Sequence, residues 1–510
     1  MPYAALSALV AGVFLGERLG PATGVIPIGI VVVGAVGLLV VGPGGVFRVG
    51  LALLVVTAGG AAVSQRALDG LAHSPLTAAI TRRTPVTVDV TLRDDPSGVR
   101  FATEVLVRVR RWRVREIHSH SGWKDAGGRT LRVAASGDAA GRLALLVAGD
   151  HARLRGTLAP LEGYDERFRW MHAVGRLDAS AILDFTASGS PLMGLANGLR
   201  ATVLRGTATL PATERGLLAG FLLGDTRGIP SVVLGQFRDA GLSHLLAVSG
   251  ENVAFVLALV GPLRRRLPRL ARLFVTLAVL VVFGAMTRWE PSVLRAEAMA
   301  AVAVLAVHLG RPTRALRTLT IAAGLLLAAD PFLVHSVGFV LSCGASAGIA
   351  AFGPPLAARL PGPEWFREGL STTVAAQAAV APVLLAVFGS IPLVAVPANL
   401  LAGPIVGPLT MWGLGAGVLG GFFGPRAGAL SLLAQQPTRL LADAVLGIAN
   451  AAGRVPVAID ARSGLTWVAA LVVGVGTALW MVVWRGWPGR RPRLEFDEGA
   501  HRYRPGSSKC

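Results

Sequence analysis

The sequence predicts a polytopic α-helical membrane protein carrying a small extracellular β domain of the OB-like barrel type. Three observations predict it. Of the 510 residues, 53% are hydrophobic and only 15% charged, and the mean hydropathy of +0.60 leaves too little polar surface for a soluble chain. Apolar runs recur at close to the length a helix needs to cross hydrocarbon, ~17–25 residues. Between two such blocks, from Arg66 to about 191, charges appear every few residues and apolar residues alternate with polar ones.

The first block, residues 1–65, holds runs near 3–16, 24–41 and 47–63, an N-terminal group of transmembrane helices. It lacks the basic start of a cleavable signal peptide. Within 66–191, the segments Val86–Leu92, Thr103–Trp112, Thr130–Ala134, Leu143–Val147 and Arg153–Leu158 alternate in strand fashion between turn signals. Five short strands in ~125 residues suit a compact barrel or a small sandwich. Residues 192–240 read as a linker with amphipathic interfacial helices. There Leu217, Leu218, Phe221, Leu222 and Leu223 lie beside Glu214, Arg215, Asp225 and Arg227.

The second block, 241–485, has runs near 244–260, 273–287, 292–309, 318–329, 332–352, 371–388, 392–422, 428–450 and 465–484. Pro397, Pro404 and Pro408 predict a broken or re-entrant segment in 392–422, where Asn399 also lies. Arginines crowd two alternate loops, Arg264–Arg272 and Arg311–Arg317, and fill the tail 486–510. Cytoplasmic loops collect Lys and Arg, so these are expected inside, with nine spans returning the C-terminus to the cytoplasm and the β domain left outside.

The chain is basic, 49 Lys and Arg against 29 Asp and Glu, and has only two lysines, Lys124 and Lys509. Guanidinium groups pair bidentately with phosphate oxygens, so an anionic phosphate partner is favoured. The two cysteines, Cys343 and Cys510, exclude a disulfide framework and a cysteine zinc site. There is no phosphate-binding Gly-rich loop ending in Gly-Lys. His118-Ser119-His120 has no following Asp-His pair and reads as a strand-to-turn surface pair. Neither a cofactor nor a metal is expected.

The stretch Gly241 to Val256, GLSHLLAVSGENVAFV, places His244, Ser249, Glu251 and Asn252 in an apolar, span-like segment. Polar and ionisable groups cost at least ~2.5 kcal/mol each in hydrocarbon and usually face a bundle interior or a wet path. The other reading sets them at headgroup level, solvated at the interface. Arg288, Arg295 and Glu297 are further candidates for a substrate path, although Arg295 paired with Glu290 or Glu297 would simply fix helix packing. In the β domain, Arg108, Arg110 and Arg113 with Trp112 and Trp123 form a candidate nucleic-acid surface of charge and stacking faces. Phe168 and Trp170 serve equally as platforms or as core.

At this stretch the sequence resembles the ComEC family of competence membrane proteins. The resemblance continues through LLAGFLLGDTRGIP upstream, WEPSVLRAEAMAAVAVLAVHLGR from Trp289, GFVLSCGASAGI from Gly338, and Pro397-Ala398-Asn399-Leu400. AGDHARLRGTLAP from Ala148 is similar to the family's OB-like extracellular domain. Two departures stand out. Asn252 occupies a position where the family commonly has histidine, and the chain ends some 25 residues after its last apolar run, where many members continue into a metallo-β-lactamase-like domain. No nuclease or other enzyme activity is therefore expected in this polypeptide. The resemblance implies uptake of single-stranded transforming DNA across the cytoplasmic membrane, in contact with membrane lipids. It also implies a separate DNA receptor, a cytoplasmic translocation ATPase and a nuclease as partners, and allows a homo-oligomer. The alternative is a transporter or membrane-embedded enzyme acting on another anionic or lipid-linked substrate.

Overall fold

The structure, a computed structural model, describes residues 2–20, 25–40, 46–99, 102–114, 122–424, 428–455 and 458–460. The apolar run at 465–484, the tail 486–510 and the His118–His120 pair lie outside the described residues.

The alternating segments form seven strands: β1 Pro85–Leu92, β2 Ser97–Val99, β3 Ala102–Val114, β4 Lys124–Asp125, β5 Thr130–Ala135, β6 His151–Ala159 and β7 Ala173–Thr186. Five of them pair in a circuit, β1–β6–β7–β5–β3 and back to β1, parallel only between β5 and β7. That circuit is the pairing an OB-like barrel requires. The expected strand at Leu143–Val147 is absent: Gly137–Ala144 is a short helix connecting β5 to β6, with Ala139 and Leu143 buried. Inward-facing Val86, Val88, Val90, Val107, Val109, Leu131, Val133, Leu154 and Leu177 form the domain's core, each at most 1% exposed.

Among the described residues, fourteen α-helices of nine or more residues flank this domain in sequence. Three precede it: α1 Pro2–Leu19, α2 Val25–Val40 and α3 Val46–Ala72. After it come α4 Pro191–Gly206, α5 Ala212–Leu223, α6 Ser231–Asp239 and α7 Gly250–Leu259, then α8 Arg269–Met286, α9 Pro291–His308 and α10 Ala315–Ala329. The last are α11 Val337–Ala357, α12 Glu364–Phe388, α13 Ala395–Phe423 and α14 Gly428–Gly453. Among the described residues six helices are long and apolar enough to cross a membrane: α3 from Arg48, then α8, α9, α11, α12 and α13. Their outer faces expose Phe274, Val307, Phe388, Leu419 and Phe422, each more than 60% accessible, an apolar surface suited to lipid rather than water.

Three expectations are corrected. Helix α5 is not interfacial: Leu217, Leu218, Phe221, Leu222 and Leu223 are at most 3% exposed and pack with residues of α13 and α14 in the largest helical core. Its charges sit at its ends, so its apolar face is satisfied by protein. Helix α13 is not broken. Pro404 and Pro408 lie inside one 29-residue helix, which packs closely because it is glycine-rich. At Gly417 and Gly421 a Cβ would run into the backbones of α4 and its flanks, Gly421 against Thr202 and Gly417 against Val203. The run at 244–260 is not one helix. A single turn, Ser243–Leu246, is followed by extended backbone at Ala247 and Ser249, and α7 then runs for only ten residues. Ten residues rise ~15 Å, half of the ~30 Å core, so α7 is a half-helix.

The β domain rests on the helical block at two places. His172 bonds Asp330 at 3.0 Å, and Trp170 stacks on His335 with ring centroids 3.8 Å apart. His335 in turn bonds Glu17 of α1 at 2.7 Å. The second place is a buried charge seam around Asp95.

Candidate functional site

Asp95, in the turn between β1 and β2, accepts from Arg288 Nη2 at 2.7 Å and from Arg200 Nη2 at 2.8 Å. The Ala148 N–H adds a third bond at 2.9 Å. Arg200, 5% exposed in the middle of α4, also donates to the carbonyls of Leu223 and Met286. Arg227 closes the network by a two-bond contact with Asp225, at 2.8 and 2.6 Å. Burial works to raise the Asp95 carboxyl, but Arg200 and Arg288 outweigh it and hold it below its ordinary value. Glu290, buried near Asp94 and with Arg200 pulling only weakly against this, is pushed up to about 7. The loop that delivers Arg288 is strained, since Arg288 and Trp289 have φ of 60° and 56°, in the left-handed region. Arg288 thus belongs to the seam with the β domain, not to a path among the helices.

Below the seam, four segments singled out in the sequence meet. The Val248 carbonyl accepts from Ser292 Oγ at 3.0 Å. Asn252, 5% exposed, donates to the Phe221 carbonyl at 2.6 Å. Arg295 Nε donates to Ser342 Oγ at 2.8 Å, and its Nη1 approaches Met299 Sδ at 3.1 Å. Gly250 makes the contact possible: a Cβ there would stand 2.6 Å from Arg295 Nη2. The start of α7 therefore lies directly against α9, with α5 and α11 bonded to the same cluster.

Arg295 is 8% exposed and has no carboxylate within 4 Å among the described residues. Neither pairing is formed: Glu297, two residues on along α9, points to a different side, and Glu290 lies before the helix, near Asp94. Glu297, 5% exposed, packs instead where a Cβ on Gly284 would collide with both it and Trp289, and its Oε1 is buried without a hydrogen-bond partner. His244 and Glu251 are exposed and Ser249 is half-buried. Asn399 is half-buried and bonds the Ala395 carbonyl of its own helix at 2.8 Å. The structure thus brings Ser249, Asn252 and Arg295 into one neighbourhood, with Asn252 committed to a carbonyl, and shows no bond from Asn399 to it.

In the β domain, Trp112 is 6% exposed and belongs to the core, which corrects its reading as a stacking face. The cause is a bulge: Asp89 pairs with Arg111 but Val90 pairs with Val109, so Arg110 is extra and the parity of β3 flips. Arg111 and Arg113 consequently share a surface with Trp123, their guanidinium carbons 5.4 and 4.8 Å from its ring centroid, with Arg153 at 5.4 Å. Asp89 fixes Arg111 and Arg153 at 2.9 and 2.8 Å. Phe168 is buried against Arg132, and Trp170 is taken by His335. Arg111 escaped the sequence reading for want of any signal of the bulge, whereas Arg200 was detectable as an arginine amid the apolar residues of α4.

A bundle of long apolar helices, with a half-helix and two buried ionisable groups among them, defines a polytopic membrane protein. The chain belongs to the competence protein family, whose sequence profile matches residues 221–488, just over half of it. It is also similar to ComE operon protein 3 of Bacillus subtilis strain 168, 28% identical over 219 residues. That match takes in 41% of this chain but only 27% of the relative, so the chain matches about a quarter of that protein's length. No solved structure matches the chain.

Proposed function

We propose that this protein is a channel for uptake of single-stranded DNA across the cytoplasmic membrane, with the β domain outside. The convergence of the 217–229, 241–256, 289–310 and 338–349 segments on the start of α7 carries the reading, because these are the stretches that resemble the DNA-uptake family and they enclose buried polar groups. Half-helices with polar termini inside a bundle are a recurring way to build a translocation site. The Trp123 surface, flanked by Arg111, Arg113 and Arg153, is suited to a single strand by stacking and phosphate contact. A DNA receptor, a cytoplasmic ATPase and a nuclease would act as separate partners, and channel rather than enzyme chemistry suits a site without a nucleophile–base pair.

The orientation is supported by the ends of three helices. Helix α8 begins at Arg269 and ends beside Arg288, which bonds Asp95 of the β domain; α9 then leads to Arg311 and Arg314, and α10 returns to Asp330, which bonds His172. The arginine-rich loops therefore lie at the helix ends remote from the β domain, the cytoplasmic side by the positive-inside rule. With α7 too short to cross alone, the count of nine spans loses one crossing unless Ser243–Leu259 traverses as a broken unit. Reporter fusions within 130–160 are expected to read as extracellular and those at 265–268 as cytoplasmic, and the reverse would invert the assignment. For the activity itself, a deletion strain is expected to bind labelled DNA but not internalise it. Uptake at the parental level would favour transport of another anionic substrate.

A further inference from the structure

A second cationic site lies apart from the Trp123 surface and from the helix-buried cluster. It is a cleft of ≈ 380 Å³ between the β domain and the end of α3. Arg93, Arg108 and Arg129 line one side, and Ala67, Leu71 and Val174 supply an apolar wall. Arg93 Nη1 donates to the Met171 carbonyl at 3.1 Å and, at 3.4 Å, to Thr130 Oγ1, and Arg129 makes one long bond to the His73 carbonyl at 3.4 Å. Arg129 Nε is buried without a partner, and Arg108 has no side-chain partner among the described residues. Among the described residues the one carboxylate lining the cleft is Asp330, whose Oδ1 is taken by His172 and by the Phe332 N–H, each at 3.0 Å. Three guanidinium groups thus line a space that holds a single carboxylate, an excess of positive charge suited to a phosphate.

The position of the cleft decides the source of that phosphate. Helix α3 is one of the six spanning helices and ends at Ala72, so Ala67 and Leu71, in its last two turns, stand at the membrane boundary. We propose that the cleft binds the phosphate headgroup of an anionic phospholipid in the leaflet on the β-domain side, with the acyl chains descending along α3. A nucleic-acid strand is disfavoured. Among the described residues the only ring lining the cleft is His172, already held by Asp330, so none offers a face to a base. Bound lipid would tie the β domain to its membrane helix and reassigns Arg108 from a nucleic-acid contact to a lipid contact.

The test uses the purified full-length chain in detergent, with thermal unfolding and native mass spectrometry as readouts. Phosphatidylglycerol is expected to raise the unfolding midpoint by about 2–4 °C and to remain bound in the gas phase, whereas phosphatidylcholine does neither. Arg108→Ala is expected to abolish both effects, while Arg82→Ala, at an exposed arginine outside the cleft, retains them. Arg108→Ala folds without loss, because the side chain it removes has no partner, and its midpoint without lipid should equal the parent's. Equal stabilisation by phosphatidylcholine, or an unchanged lipid effect in Arg108→Ala, overturns the proposal. Displacement of the lipid by millimolar inorganic phosphate or by oligothymidylate, with the same dependence on Arg108, assigns the cleft to those anions and overturns it too.

Discussion

Two buried sets of charge in this molecule are built on opposite terms. At the seam, Asp95 is matched by Arg200 and Arg288, each within 2.8 Å, and every one of these groups has further bonds to backbone or to Asp225. Inside the helical block, Arg295 has a hydroxyl and a sulfur for company, and Glu297 keeps an orphaned oxygen. Desolvated charge is tolerable when compensated and costs several kcal/mol when it is not. The seam is therefore explained by structure alone. Structure leaves the helix-buried pair unexplained, and such uncompensated groups mark functional positions in membrane proteins.

The largest effect should come from breaking the compensated set. Arg200→Ala takes from Asp95 one of its two buried guanidinium partners and removes the bonds to Leu223 and Met286, so a loss of about 3 kcal/mol is expected. It would be read as failure to accumulate a folded, detergent-stable protein. Arg295→Met is the opposite case. It removes an uncompensated buried charge at similar volume, and the unfolding midpoint is expected to hold or rise. If Arg295→Met destabilises as much as Arg200→Ala, the contrast between the two sets collapses.

The seam should also respond to pH in two directions. Asp95 and Asp225 are held below their ordinary values, so their contribution is present above pH 4 and lost as the pH falls through their folded-state values. Glu290 is raised to about 7, so the folded state takes up its proton more readily than the unfolded chain. Its contribution is full below about pH 4.5 and is lost as the pH rises to about 7, roughly 3 kcal/mol in all. Glu290→Gln is expected to flatten stability between about pH 4.5 and 7 and leave the limb below pH 4 unchanged, and a midpoint that falls equally in parent and variant would remove Glu290 from the account. The smallest effect concerns the outer surface. Trp123→Ala should weaken single-strand binding by about 1–3 kcal/mol, and replacing Arg111 and Arg113 should lower the salt dependence. Affinity that ignores both changes would make the β domain a structural element only.

How much of this was legible in the sequence follows from the range of the interactions. The strands of the β domain were readable because alternation is local, but the bulge at Arg110 depends on pairing with β1, and it moved Trp112 into the core and brought Arg111 to the surface. Helix α5 looked interfacial because hydropathy does not distinguish burial against protein from burial against lipid. The prolines of α13 predicted a break that close glycine packing prevented. Polar residues marked the stretch around Ser249, yet the break before Gly250 is stabilised by Ser292, over forty residues away. Asp95 and Arg200 are 105 residues apart, and no local pattern joins them.

The central claim is that the helix-buried cluster around Arg295 serves passage of DNA rather than folding. It is tested most directly by measuring entry of labelled DNA into the cytoplasm of a deletion strain that carries Arg295→Met at the parental membrane level. The account predicts normal insertion and stability with internalisation reduced at least about tenfold, the loss of some 1.4 kcal/mol or more of transport free energy. Internalisation at the parental rate by that stable, correctly inserted variant would contradict it.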